Sequence, residues 1–124
     1  MKRHIPLSIP DLGGNEADYL ERCVRENWVS SAGPFVTEIE RRMAKVSGRK
    51  FGVAVVNGTA AIELCLRAMG FGKGERVALP DWTFAATANA VIHAGCEPVF
   101  VDVAPSSWTI DPAALLQVSE RLGS

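Results

Sequence analysis

Residues 53–69, VAVVNGTAAIELCLRAM, predict a strand, a tight turn and a helix in direct succession. The run Phe51–Val56 is apolar and rich in valine, a pattern typical of a strand that is covered on both faces of a parallel sheet. The run Thr59–Met69 is long enough for about three helical turns, and its charged residues Glu63 and Arg67 stand four positions apart on one stripe. We therefore expect the rest of the fold to be arranged around this stretch.

The turn Asn57-Gly58-Thr59 lies where the predicted strand ends and the helix begins. The first N–H groups of a helix have no partner inside the helix, and an anion can satisfy them. Gly58 permits close approach of a ligand, and the Thr59 hydroxyl can donate to a phosphate oxygen. The residues leave two interpretations open, which are a phosphate-binding turn and an ordinary helix start capped by Asn57 or Thr59. Neither G-x-G-x-x-G nor G-x-x-x-x-G-K-[ST] occurs, so the common dinucleotide and P-loop sites are excluded by pattern.

Composition limits the function classes. The chain has 124 residues and a formal net charge of −1, so charge gives no support for binding to nucleic acid or to an anionic membrane. Cys23, Cys65 and Cys96 are an odd number at wide spacing, which favours reduced thiols packed in the fold. No apolar run reaches the length of a membrane span, and the start MKRHIPLSIP lacks the apolar core of a signal peptide. A cytoplasmic location is therefore expected.

Six further elements are predicted from hydrophobic spacing, caps and breakers. They are the helices Asn15–Arg25, Phe35–Val46, Phe84–Ala94 and Ala113–Arg121 and the strands Arg76–Leu79 and Glu97–Val103, with Asp111 as the cap of the last helix. The alternation of strands and helices from Phe51 onward predicts an α/β fold. The last helix leads into no further strand, so we expect the front of a longer domain. We divide the chain into an N-terminal arm, helix and loop (1–34) and the first part of the large domain (35–124).

Four motifs together resemble one enzyme family. They are WVSSAGPFVTEIE (28–40), VAVVNGTAAIELCL (53–66), LPDWTFAATANAVIHAG (79–95) and EPVFVDV (97–103). In this order and spacing they resemble the DegT/DnrJ/EryC1/StrS sugar aminotransferases, and the first two also resemble the branch with the legionaminic acid and bacillosamine pathway enzymes. The resemblance covers nearly the whole chain. It implies the N-terminal part of a fold type I large domain, a three-layer α/β/α sheet left incomplete here, with pyridoxal 5′-phosphate (PLP) as the cofactor.

The resemblance also implies roles for individual residues. The turn Gly58-Thr59-Ala60 would bind the cofactor phosphate, in agreement with one interpretation of the residues alone. Phe84 occupies the aromatic position that stacks on the pyridine ring of the cofactor, and a core phenylalanine is the alternative. The loop that borders the sugar-nucleotide site in the family corresponds to Ser30, Ser31 and Gly33.

Two catalytic residues of the family are not expected in this sequence. The Schiff-base lysine and the aspartate that pairs with the pyridine nitrogen both follow residue 124 in the family's pattern. Asp102 belongs to the earlier FVDV motif, and Trp82 falls on a variable position. The four lysines match no lysine motif of the family and are interpreted as solvated surface or turn residues: Lys2, Lys45, Lys50 and Lys73. The chain alone is therefore not expected to transaminate.

Three functions are compatible with these observations. The first is the N-terminal part of a nucleotide-sugar aminotransferase of polysaccharide biosynthesis, which moves an amino group from glutamate to a keto sugar. The second is a dehydratase of the same family, and the third is a non-catalytic phosphate-binding module or an inert remnant. The resemblance implies a homodimeric parent enzyme. It also implies that Phe51–Val56 lacks its neighbouring strands here, so we expect the isolated chain to be unstable or prone to aggregation.

Overall fold

The computed structural model describes residues 5–6, 8–30 and 32–123. The chain divides into two compact units, Met1–Ala54 and Val55–Ser124, each of which is described by itself. The division predicted after residue 34 refers to the domains of the family and stays a prediction.

The first unit contains two helices, α1 (Glu16–Arg25) and α2 (Pro34–Val46). Each helix begins and ends within one residue of its predicted bounds. Helix α2 begins with Pro34, which suits the first helical position because its missing N–H would have no partner there. The rings of Tyr19 and Phe35 lie 5.1 Å apart, and the Arg22 guanidinium lies 5.2 Å from the centroid of the Phe35 ring. These aromatic and cation–π contacts join the two helices.

The segment Phe51–Val56 is not a strand in this structure. The sheet formed by the described residues has two strands, and both lie later in the chain, so this segment has no ladder partner. Its side chains are uncovered, with Phe51 75% and Val56 89% exposed. The prediction of a strand covered on both faces is therefore wrong for this structure. The physical reason is that valine-rich sequence favours a strand only where neighbouring strands and packed faces are present.

The second unit follows the predicted alternation closely. Its elements are α3 (Gly58–Ala68), β1 (Arg76–Pro80), α4 (Ala85–His93), β2 (Glu97–Val101) and α5 (Pro112–Gly123). Strands β1 and β2 are parallel neighbours, with Arg76 opposite Glu97 and Pro80 opposite Val101. Because α4 connects two parallel strands, β1, α4 and β2 form a βαβ unit, which confirms the predicted α/β class.

The second strand and the last helix differ from the prediction only at their ends. Strand β2 ends at Val101, two residues earlier than predicted, and Val103 instead forms an isolated antiparallel bridge with Ile110. The Asp111 carboxylate accepts a hydrogen bond of 2.9 Å from the Ala113 N–H. Asp111 therefore caps α5, as its position before a proline indicates.

One core lies between the helices and the sheet of the second unit. Leu66 from α3, Leu79 from β1 and Val91 from α4 are buried in it together with Ala94 and Cys96. The three cysteines are free thiols; Cys96 is buried, Cys23 is half-buried and Cys65 is exposed, so the predicted packing in the fold holds for Cys96 and not for Cys65. No helix in the described ranges is both long and apolar enough to cross a membrane.

Candidate functional site

The N-terminus of α3 is capped by Asn57. Its side-chain oxygen accepts a hydrogen bond of 2.9 Å from the Ala60 N–H, and its carbonyl accepts one of 3.1 Å from the Ala61 N–H. Of the two caps considered from the sequence, Asn57 is the one that the structure uses. Among the described residues, the N–H groups of Gly58 and Thr59 have no hydrogen-bond acceptor. These two donors are therefore available to an anion.

Gly58 is not required by the fold. Its φ lies outside the left-handed region, and a Cβ added to it would have no heavy atom within 4 Å. An alanine would therefore be tolerated by both backbone conformation and space. Open space at the first residue of a helix, beside two unpaired N–H groups, fits the close approach of a phosphate.

The C-terminal ends of helices α3 and α4 contact each other. The Arg67 guanidinium donates to the His93 carbonyl, and its Nε lies 2.9 Å from a Glu63 carboxylate oxygen. The other Glu63 oxygen lies 3.8 Å from His93 Nδ1. Gly58 lies nine residues before Arg67 in α3, and Phe84 lies nine residues before His93 at the start of α4. Because each helical residue rises 1.5 Å, each of these two positions lies about 14 Å from these contacts along its own helix.

Phe84 is the residue immediately before α4. Its φ and ψ of −69° and 138° are extended, and its carbonyl accepts a hydrogen bond of 2.9 Å from the Thr87 N–H. Its side chain is 82% exposed, which excludes the alternative role as a core phenylalanine in this structure. It follows the end of β1, at the carboxyl edge of the parallel strands, where open α/β sheets bind their ligands.

One protein family matches nearly the whole chain. The model of the DegT/DnrJ/EryC1/StrS aminotransferase family matches residues 10–121. The chain belongs to this family. The GDP-perosamine synthase of Caulobacter vibrioides is 42% identical over 111 residues, which are 90% of this chain and 30% of that protein. The UDP-2-acetamido-2-deoxy-3-oxo-D-glucuronate aminotransferase of Pseudomonas aeruginosa is 41% identical over 83 residues, which are 67% of this chain and 23% of that protein.

Solved structures of the family have the same fold. The PLP form of Spr1654 from Streptococcus pneumoniae matches with a TM-score of 0.74 and 33% identity, over 93% of this chain and 29% of that chain. This match confirms the predicted fold class, and a PLP form among the solved structures confirms the cofactor predicted for the family. The chain spans about 30% of the length of the relatives that it matches.

The predicted substrate residues belong to the first unit. Ser30 is exposed in the segment between α1 and α2, and Gly33 is the residue before α2. Ser31 lies outside the described residues. Their assignment to a sugar-nucleotide site stays a prediction.

The lysines of the described ranges lie on the surface, as expected. Lys45 is exposed on α2, and Lys73 is exposed in the turn before β1. The Lys50 ammonium lies 5.1 Å from the centroid of the Phe51 ring. Lys2 lies outside the described residues. Asp102 is exposed after β2, and its carbonyl accepts from the Asp111 N–H at 2.9 Å.

Two features of this region were not found from the sequence. The first is the contact of Arg67 with His93, because the sequence spacing pairs Arg67 with Glu63 alone. The second is a contact between Trp82 and Trp108, whose ring centroids lie 5.3 Å apart. The available signal for the second was the position of both tryptophans shortly after the ends of parallel strands, which meet at one edge of the sheet.

Proposed function

We propose that this chain is the N-terminal, phosphate-binding part of a PLP-dependent nucleotide-sugar aminotransferase. The single observation that carries the proposal is the start of α3. There two N–H groups are unpaired among the described residues, and the open face of Gly58 leaves room for a phosphate. Phe84 precedes α4 in the same unit, and its exposed ring supplies a flat surface for the pyridine. Family membership supports the identity of the cofactor.

The residues of the turn contribute to phosphate binding in different ways. Gly58 and Thr59 offer their N–H groups to the phosphate, and the Thr59 hydroxyl adds a third donor. The Ala60 N–H donates to Asn57, so Ala60 contributes through its small side chain while Asn57 orders the turn. Bound PLP supplies an electron sink at the reacting carbon, and the contribution of this chain is to fix the position of its ring and phosphate.

The substrate proposed is a nucleotide-linked keto sugar, with glutamate as the amino donor. Support comes from the names of the relatives, a GDP-perosamine synthase and an aminotransferase of a UDP-linked 3-oxo sugar. The same names favour the aminotransferase over the dehydratase considered from the sequence. In this proposal Ser30, Ser31 and Gly33 border the sugar nucleotide. The assignment to the legionaminic acid and bacillosamine branch stays a prediction.

The proposal places the Schiff-base lysine and the aspartate for the pyridine nitrogen outside these 124 residues. The 124 residues by themselves therefore bind the cofactor phosphate without transaminating. We further propose a homodimeric parent enzyme in the cytoplasm. Three free thiols fit a reducing compartment, and exposed apolar side chains such as Val29 and Met43 fit a chain that is covered by further protein.

The experiment is a titration of the 124-residue chain with PLP, followed by phosphorus NMR and by absorbance. Saturable binding is expected, with at least about tenfold weaker binding for Thr59→Ala and near-parent binding for the matched control Thr59→Ser, which keeps the hydroxyl. Equal binding of parent and Thr59→Ala, or no binding by the folded parent, would overturn the proposed phosphate site and favour the inert remnant. A borohydride-reducible adduct at one specific lysine would contradict the absence of the catalytic lysine.

A further inference from the structure

Two tryptophans form an exposed aromatic pair at the carboxyl edge of the sheet. Trp82 follows the end of β1 by two residues, and Trp108 lies in the loop after β2. Their ring centroids are 5.3 Å apart and their planes are inclined by 52°. Although the rings touch, Trp82 remains 67% and Trp108 60% exposed. Both indoles are therefore accessible to a flat ligand, at the edge where open α/β sheets bind their ligands.

The loop that carries Trp108 is tied by hydrogen bonds. The Trp108 N–H donates to the Ala104 carbonyl at 2.9 Å, and the Ala104 N–H donates to the Thr109 carbonyl at 2.9 Å. The hydroxyls of Ser107 and Thr109 lie 2.8 Å apart. Trp108 itself has a φ of +57°, in the left-handed region that a bulky side chain rarely adopts. The surrounding structure thus holds Trp108 in one uncommon conformation against its partner ring.

The loop that carries Trp82 is fixed to the neighbouring strand. The Asp81 N–H, one residue before Trp82, donates to the Val101 carbonyl at 3.0 Å, at the end of β2. Two residues after Trp82 lies Phe84, which the proposed function assigns to the cofactor ring. The aromatic pair is therefore anchored within a few residues of the proposed cofactor site.

We propose that Trp82 is the stacking surface for the nucleobase of the sugar-nucleotide substrate, and that Trp108 is a positioning residue that holds the Trp82 ring. The proposal rests on the proposed function, because that function supplies the nucleotide. A base stacks on the more exposed indole, while the inclined second ring prevents the first from turning away.

Charge distinguishes the base from the other parts of the substrate. Asp81 precedes Trp82 directly, and Asp102 follows β2 at the same edge; both residues are exposed. Two carboxylates disfavour a diphosphate at this position, because like charges repel. A neutral aromatic base carries no such penalty, and its N–H groups can donate to a carboxylate. The sugar and the diphosphate are therefore placed away from the pair, and the base on it.

The test is an NMR titration of the full 124-residue chain with GDP, in which the indole N–H resonances of the three tryptophans are followed. Pyrophosphate and ribose 5-phosphate serve as the control ligands, because they carry the charge and the sugar without the base. We expect saturable shifts of the Trp82 and Trp108 resonances with GDP, and no shift of either with pyrophosphate or ribose 5-phosphate. Trp82→Ala should weaken GDP binding at least about tenfold, whereas Trp82→Phe should keep it within about threefold. Trp108→Ala should weaken binding by less than Trp82→Ala, with rescue by Trp108→Phe.

The proposal is overturned if GDP shifts neither resonance of the pair, if pyrophosphate alone gives the same shifts, or if Trp82→Ala binds GDP as the parent does. Both side chains are mostly exposed, so their truncation leaves the core intact, and an unchanged circular dichroism spectrum confirms this for each variant. A parallel PLP titration separates the two proposals. PLP binding without GDP shifts contradicts the stacking surface alone, whereas GDP shifts without PLP binding support the stacking surface and contradict the cofactor site.

Discussion

Gly52 and Gly58 lie six residues apart, in different compact units, and the structure requires only the first to be glycine. A Cβ at Gly52 would lie 2.4 Å from the Glu40 carbonyl oxygen and 3.1 Å from its carbon. A Cβ at Gly58 would meet nothing within 4 Å. Gly52 lies within the apolar segment Phe51–Val56 and Gly58 follows it, yet one glycine allows the backbone to pack against α2 and the other leaves space at a helix start. The comparison teaches that packing explains the glycine at position 52, whereas the glycine at position 58 is free to serve the close approach of a ligand.

The largest expected effect is that of Gly52→Ala. The added Cβ would overlap backbone atoms of Glu40, which cannot move away as a flexible side chain can, so we expect a loss of about 2–3 kcal/mol of unfolding free energy. Gly58→Ala is the matched control and should stay within about 0.5 kcal/mol of the parent. Urea unfolding followed by circular dichroism measures both. Equal destabilisation by the two substitutions would remove the distinction between the glycines.

A smaller effect is expected from the residue that precedes Gly58. Asn57→Ala removes the side-chain cap of the Ala60 N–H and should cost about 1 kcal/mol, while Asn57→Asp keeps the acceptor. The matched control is Asn15→Ala, because Asn15 precedes α1 without a side-chain cap hydrogen bond. Its effect in urea unfolding should be less than about 0.3 kcal/mol. If the two alanine variants lose the same stability, the cap at α3 has no special role in ordering the turn.

Phe84→Ala should have a still smaller effect on stability. Truncation of a core phenylalanine costs about 3–5 kcal/mol, but Phe84 is 82% exposed, so a change below about 0.5 kcal/mol is expected. The substitution should instead weaken PLP binding, which would place Phe84 with Gly58 among residues kept for the ligand. A thermal unfolding curve shifted by many degrees would show that Phe84 is a packing residue after all.

The smallest effect concerns charge on α2, near the Gly52 contact. Hydrogen bonds from Arg41 and then Arg42 lower the pKa of Glu38 from 4.5 to about 2. Because the folded pKa is the lower one, the stabilisation is complete above about pH 4.5 and is lost as the pH falls toward about 2. The pair is solvent-exposed, so the effect on stability is small. An NMR titration of the Glu38 carboxylate should show the low pKa in the parent and a value nearer 4.5 in Arg41→Gln. A parent value of 4.5 would contradict the ion pair.

Local patterns were sufficient to predict most elements. Helix α2, strand β1 and the Asp111 cap of α5 depend on residues close in sequence, and they lie where the sequence indicates within one residue. The segment Phe51–Val56 was wrongly predicted because a strand depends on partners distant in sequence, and none is present among the described residues. The apolar stripe of α2 is likewise open, with Ile39 54% and Met43 53% exposed.

The site was predictable only in part, for a related reason. The turn at Gly58 was proposed from both the residues and the family resemblance, and Phe84 from the resemblance alone; their roles at the cofactor stay predictions. Three contacts could not be predicted without coordinates, because each depends on side-chain geometry. They are the hydrogen bond from the Ala60 N–H to Asn57, the contact of Arg67 with His93 and the Trp82–Trp108 pair. Sequence spacing indicates which residues are neighbours along a helix or strand, but it does not indicate which backbone N–H groups remain without an acceptor.

The central claim is that Gly58 keeps space for the phosphate of PLP. The most direct measurement compares PLP binding by the parent chain and by Gly58→Val in samples whose urea unfolding midpoints are also measured. The account predicts saturable binding by the parent, a loss of at least about tenfold in Gly58→Val, and unfolding midpoints that agree closely. Unchanged PLP binding in a folded Gly58→Val chain would contradict it.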